Sequence, residues 1–147
     1  MDNIKAILNE SKYDYEIIKH EKKIYSAQDG AEYFGIEIGQ TAPTLILSTD
    51  NGLMALIISG SKGKIDFDKL EDELGFIVKG LANKKDIEKS LGFSVGAIPL
   101  VGHGLPTIID SKLYKYDYVY GGTGNEDYTL KISPEDSVQL NDVIAEI

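Results

Sequence analysis

The sequence predicts one compact α+β or mixed α/β domain in which several strands are flanked by helices. Strand-sized apolar runs alternate with segments whose apolar residues fall at helical spacing, the pattern of sheet and helices packed around one core. Two of the helical segments are bracketed by a capping residue and a terminal glycine, and a third ends on a glycine. With 42% hydrophobic and 27% charged residues, the 147-residue chain has the composition of a globular domain that buries roughly two-thirds of its unfolded surface.

Taken in order, Asn3–Ser11 carries Ile4, Ile7 and Leu8 at helical spacing, and Tyr13–Ile18 reads as a short strand. Ser26 caps a helix with Ala27, Ala31 and Phe34 near one face and Gly35 at its end, although Gly30 weakens its interior. The runs Pro43–Leu47 and Leu53–Ser59 flank Asn51-Gly52, a strong hairpin signal. Leu70 and Leu74 mark a helix stopped by Gly75, after which Phe76–Val78 returns to the sheet. Asn83 caps a helix that ends at Gly92. Leu105–Ile109 and Tyr116–Tyr120 read as strands, the second running into Gly121-Gly122-Thr123-Gly124, and Tyr128–Ile132 as the last strand. Ser133-Pro134 then opens a terminal helix with Val138, Leu140 and Val143 as its apolar contacts.

Composition excludes several kinds of chemistry. There is no cysteine, so disulfides, thiol nucleophiles and thiolate metal sites are ruled out. His20 and His103 are far apart and form no metal-ligand motif, which argues against zinc and leaves carboxylate-bound magnesium open. A net charge of −9 opposes extended nucleic-acid binding, and all fifteen cations are lysines, so no guanidinium fork is available to read phosphate or guanine. DNA is therefore not an expected partner. No apolar run approaches the roughly twenty residues of a membrane span, and the first residues lack a secretory signal pattern. A cytoplasmic location, away from membranes, is the expectation.

The stretch from Gly92 to Asp110 stands out, because Gly96, Pro99, Gly102, Gly104 and Pro106 surround His103. Glycine lets a ligand approach backbone N–H groups and proline stiffens the path, so the stretch suits a pocket built from main chain. It equally suits a tortuous crossover between a helix and a buried strand, with His103 a solvated loop residue. The GGTG at Gly121–Gly124 lacks the lysine and hydroxyl of a phosphate loop, and a turn between strands explains it. Lys62 and Lys64 in SGSKGK could reach a phosphate or belong to a solvated loop. Asp66, Asp68 and Glu71-Asp72-Glu73 read as a solvated helix face. Ser94, His103 and Asp110 form no recognised triad motif.

The ordered blocks SAQDGAEYFGI, GQTAPTLIL, ALIISGSKGKIDFDKL, LGFSVGAIPLVGH, LPTIID, YVYGGTG and LKISPED carry a resemblance over nearly the whole chain. Together they resemble the YbaK/EbsC/ProX-type aminoacyl-tRNA deacylases, relatives of the editing domain inserted in bacterial prolyl-tRNA synthetases. The resemblance implies a single YbaK-like domain over residues 1–147, mixed α/β (α+β) with a central mixed β-sheet and peripheral helices, hydrolysis of misacylated tRNA, and no metal or other cofactor. The family's GxxxP substrate loop falls on Gly96-Ala97-Ile98-Pro99-Leu100, with proline one place early, and its following GH on Gly102-His103. The lysine that many active members carry at the start of the central strand is replaced by Pro43, followed by Thr44.

On this resemblance, the backbone amides of Gly96 and Ala97 and the side chain of His103 are the candidate catalytic groups. Thr44, Ile98, Pro99, Gly102, Gly104, Lys62 and Lys64 are the candidate substrate contacts, with Thr44 or the two lysines compensating for the missing cation. The implied partner is the acceptor end of aminoacyl-tRNA, with an aminoacyl-tRNA synthetase as a further candidate. Two functions follow from these residues: trans-editing hydrolysis of tRNA carrying a small wrong amino acid, or a catalytically silent module that binds an amino acid or aminoacyl group. The loss of lysine at position 43 is what supports the second.

Overall fold

In the computed structural model, which describes residues 1–11 and 13–147, the chain opens with α1 (Asp2–Ser11) followed by β1 (Tyr15–Lys19). Ile4 and Leu8, one turn apart, are both buried on the inner face of α1. The next helix, α2 (Ala27–Phe34), starts where Ser26 Oγ accepts the Asp29 N–H and stops where Gly35 turns left-handed at φ 65°. The hairpin follows as β2 (Thr44–Thr49) and β3 (Gly52–Ile57). Thr49 pairs with Gly52, whose φ of 98° closes the turn that Asn51-Gly52 predicted.

Helix α3 (Phe67–Leu74) runs from an Asp66 cap to a left-handed Gly75 and leads to β4 (Val78–Leu81), which begins two residues later than the sequence suggested. Glu71 Oε1 accepts the Val78 N–H at 2.8 Å, tying the start of β4 to the helix. Helix α4 (Lys84–Leu91) has the expected Asn83 and Gly92 caps. Strand β5 (Pro106–Ile109) follows the glycine-rich stretch, and a 3₁₀ segment, Ser111–Lys115, leads to β6 (Val119–Gly122) and β7 (Tyr128–Ile132).

Two elements differ from expectation for reasons outside their own sequence. Gly121 and Gly122 belong to β6 instead of ending it. A Cβ on Gly122 would overlap the Ile98 carbonyl oxygen, and one on Gly121 would sit 2.9 Å from Leu100 Cδ2. These glycines therefore let β6 press against residues 98–100, where Leu100 N–H donates to Gly122 O at 2.9 Å. The expected terminal helix is also shorter. It ends as α5 (Pro134–Gln139), and the chain continues as β8 (Asp142–Glu146). Asn141 Nδ2 donates to the carbonyls of Ser137 and Leu100, turning the chain out of the helix. From there Val143, Ala145 and Ile147 alternate with exposed Asp142, Ile144 and Glu146. That period of two suits the open edge of β5, with which β8 pairs in parallel.

The strands form a mixed five-stranded sheet, β4-β2-β3-β5-β8, and an antiparallel three-stranded sheet, β1-β7-β6. The predicted mixed sheet with peripheral helices is thus present, accompanied by a smaller second sheet. A parallel bridge, Thr41 to Tyr120, joins the lead-in of β2 to β6. The principal core links the sheets: Ile57 and Ile109 from the larger meet Val119, Leu130 and Ile132 from the smaller, with Ile4 and Leu8 of α1. A second cluster packs α3 on the larger sheet through Leu70, Leu47, Leu56 and Ile108. A third joins Ile46, Ala55, Ile87 of α4 and Ile98, bringing the glycine-rich loop to the start of β2. Each such aliphatic side chain contributes about 1.5–3 kcal/mol by leaving water.

Candidate functional site

Between α2, the lead-in to β2, residues 96–98 and the smaller sheet lies a cavity of about 240 Å³. Helix α2 faces it with Ala27, Gly30 and Phe34, spaced three and four apart on one stripe. The Ala42-Pro43-Thr44-Leu45 segment, Ile24 and Tyr120 supply further wall. Among the described residues lining it there is no lysine or arginine; the charged member is Glu126.

Thr44 is the notable polar group. It is 8% exposed, and its Oγ1 is buried without a hydrogen-bond partner. An unpaired buried hydroxyl costs on the order of 1–3 kcal/mol, so Thr44 leaves an unsatisfied polar atom among the residues of the cavity wall.

The glycine-rich loop enters as a 3₁₀ turn, Val95–Ala97, with Ser94 at its cap position. The Ser94 hydroxyl does not cap the turn; it donates to Glu126 Oε1 at 3.3 Å. Ala97 N–H is already donated to Ser94 O at 3.0 Å, so it cannot serve an incoming oxyanion. Among the described residues no backbone acceptor is found for the N–H of Gly96, whereas Ile98, as the C-cap, closes the 3₁₀ turn. A Cβ on Gly96 would meet only Glu126 Oε1, at 3.9 Å, so the space beside this backbone is open.

Of the two histidines, the cavity takes His20. The residue is 5% exposed, and its ring packs edge-on against Tyr33 and Phe34. Its Nδ1 lies 2.7 Å from the Lys22 carbonyl oxygen, which can only accept, so Nδ1 carries a proton and Nε2 is the nitrogen not engaged there. The His20 N–H donates to Asp127 O at 2.9 Å, fixing the end of β1 beside the start of β7.

His103 has a different setting. It is 7% exposed and does not line the cavity. Its Nδ1 accepts the Leu105 N–H at 3.1 Å, and Nε2 is buried without a partner. Burial pushes its pKa down from 6.5 to about 4, so the ring is neutral at ordinary pH. Gly102, at φ 85°, faces α1: a Cβ there would lie 3.1 Å from Ile7 Cδ1. This side of the loop is a packed crossover.

The predicted site residues therefore divide. Gly96, Ala97, Ile98 and Thr44 meet at the cavity, and Pro43 stands in its wall. Pro99 is buried just behind the lining. Gly102, His103 and Gly104 lie outside it, as do Lys62 and Lys64. The loop bearing the two lysines adjoins the rim, since Gly60 N–H donates to Thr41 O at 2.9 Å and Thr41 lines the cavity. The sequence reading missed His20, Tyr25, Phe34, Tyr120 and Glu126, which converge only through long-range pairing of β1, β6 and β7.

The sequence model of the aminoacyl-tRNA editing domain matches residues 21–140. A proline–tRNA ligase of Thermosipho melanesiensis is 23% identical over 138 residues, covering 92% of this chain and 24% of the ligase. The chain thus spans about a quarter of the length of that relative. The uncharacterized protein YwhH of Bacillus subtilis is 20% identical over 82% of this chain and 78% of its own length. The crystal structure of a candidate trans-editing enzyme for prolyl-tRNA synthetase superposes with a TM-score of 0.85 at 22% identity, covering 98% of this chain and 92% of that one, which shows a shared fold.

Proposed function

Because the chain belongs to the aminoacyl-tRNA editing domain family, we propose that it acts in trans on misacylated tRNA, hydrolysing the ester that holds a small amino acid to the acceptor end. The observation that carries this reading is the pairing of an open backbone at Gly96 with an unpartnered Thr44 hydroxyl in one small cavity. At about 240 Å³ the space lies below the ~300–1,000 Å³ of pockets that hold drug-sized ligands, which suits an aminoacyl group.

The chemistry needs a placed water and donors for the charge that develops on the carbonyl oxygen. Water oxygen attacks the ester carbon, the tetrahedral intermediate collapses, and the ribose oxygen leaves with a proton. In this reading the N–H of Gly96 receives the oxyanion, with Ala97 holding the turn through its bond to Ser94. Thr44 binds the substrate's polar atoms. His20 orients the attacking water through Nε2, the ring nitrogen not engaged by the Lys22 carbonyl, in place of His103. Pro99, Gly102, His103 and Gly104 support the loop from behind, and Lys62 and Lys64 serve only as cations beside the rim.

The absence of a cation from the described lining favours a second reading, a silent aminoacyl-binding module. Offering the protein alanyl-, prolyl-, seryl-, threonyl- and cysteinyl-tRNA and timing ester loss separates the two. The deacylase reading predicts acceleration on at least one, sharply reduced in His20→Gln; loss of ester at the background rate on all five leaves only the binding module.

A further inference from the structure

Tyr25 sits on the rim of the cavity with 84% of its surface exposed, the most exposed of the large hydrophobic side chains. Its backbone is tied to the start of α2. Its backbone N–H donates to Asp29 Oδ2 at 3.1 Å, and the next residue, Ser26, caps α2. Ile24 turns inward to the cavity wall, while Lys23 and Tyr25 on either side point outward. Lys23 Nζ lies 3.0 Å from Asp127 Oδ1 and 3.6 Å from Oε2 of Glu126, which itself lines the cavity. All three partners are about half exposed, so these ion pairs are weak and exchangeable.

We propose that the Lys23–Tyr25 segment is the docking platform for the single-stranded end of the substrate RNA, with Tyr25 stacking on the base nearest the ester and Lys23 taking the adjacent phosphate. The unpartnered Thr44 hydroxyl points to a ligand inside the cavity, and an exposed ring at the mouth meets whatever that ligand is attached to. A base offers a flat face to an aromatic ring without sequence readout. One lysine released from its carboxylates gives a local cation on a surface whose net charge of −9 repels the rest of a polyanion. Contact limited to the last nucleotides follows.

The identity of the strand rests on the deacylase reading, so the test uses binding as well as turnover. A tRNA carrying the amino acid through an amide in place of the ester cannot be hydrolysed, and its affinity is measured for wild type, Tyr25→Ala, Tyr25→Phe and Lys23→Ala. Base stacking is worth about 1–3 kcal/mol, so Tyr25→Ala weakens binding about 5- to 150-fold while Tyr25→Phe holds. Lys23→Ala lowers the slope of log affinity against log salt by about 0.7. On a hydrolysable substrate Tyr25→Ala raises KM and leaves kcat unchanged. Because the ring is exposed, the melting temperature does not move. Unchanged affinity in Tyr25→Ala overturns the proposal, and if that variant instead shifts a dimer to monomer in gel filtration, the ring belongs to a contact between copies. Tyr25-dependent binding without hydrolysis of any aminoacyl-tRNA sinks the deacylase reading and leaves the platform standing.

Discussion

Acidification should destabilise this fold through a single buried ring. His103 holds its pKa near 4 in the folded chain because its Nε2 is buried without a partner and its Nδ1 is occupied by the Leu105 N–H. In the unfolded chain the same ring titrates at its ordinary value of 6.5. As pH falls below 6.5 the unfolded state takes up this proton first, so stability is full above that value and is lost progressively down to about pH 4. The shift of roughly 2.5 units at about 1.36 kcal/mol per unit gives a loss of about 3 kcal/mol by pH 4. Urea unfolding of wild type and His103→Leu at half-unit steps from pH 7 to 4 isolates the effect, because carboxylates titrate alike in both proteins and cancel in the difference. The two stability curves should converge or cross by about 3 kcal/mol as pH falls. Parallel curves would refute the burial of this ring and return His103 to the role of an accessible, titrating catalytic group.

Two further substitutions probe the cavity and its support. Thr44→Val keeps the shape and deletes the unpaired hydroxyl, so it should raise stability in chemical denaturation by about 1 kcal/mol while reducing deacylation; a stabilised variant with full activity would remove Thr44 from the site. Gly122→Ala forces a methyl group into the Ile98 carbonyl oxygen, and should cost about 1–3 kcal/mol by the same assay and slow turnover by displacing the loop.

The parts of the fold legible in the sequence are those fixed by neighbours a few residues away. Ser26, Asn83 and Ser133 each cap an N–H three residues ahead, and Gly35, Gly75 and Gly92 each stop a helix in the left-handed region. The hairpin was legible for the same reason. Strand β8 was hidden because Val143 fits a helix face as well as a strand face, and only the free edge of β5 decides between them. Gly121 and Gly122 announced a constraint without naming it, since the Leu100 side chain and Ile98 carbonyl they make room for lie more than twenty residues earlier.

The site divides the same way. Gly96, Ala97, Ile98 and Thr44 could be picked out from the glycine-rich loop and the family resemblance. His103 looked functional because it is flanked by glycines, yet those glycines turn the chain against α1. His20 gave no local signal: its place depends on β1 pairing with β7, across more than a hundred residues.

The central claim is that the cavity beside Gly96 holds the aminoacyl ester during hydrolysis. Single-turnover ester loss, with protein in excess over the responsive aminoacyl-tRNA, tests it through Gly96→Leu, a substitution that the open backbone there accommodates but that fills the space. The variant should melt like wild type and hydrolyse the ester at the rate of buffer alone. A folded Gly96→Leu protein that retains the wild-type rate would place the chemistry elsewhere.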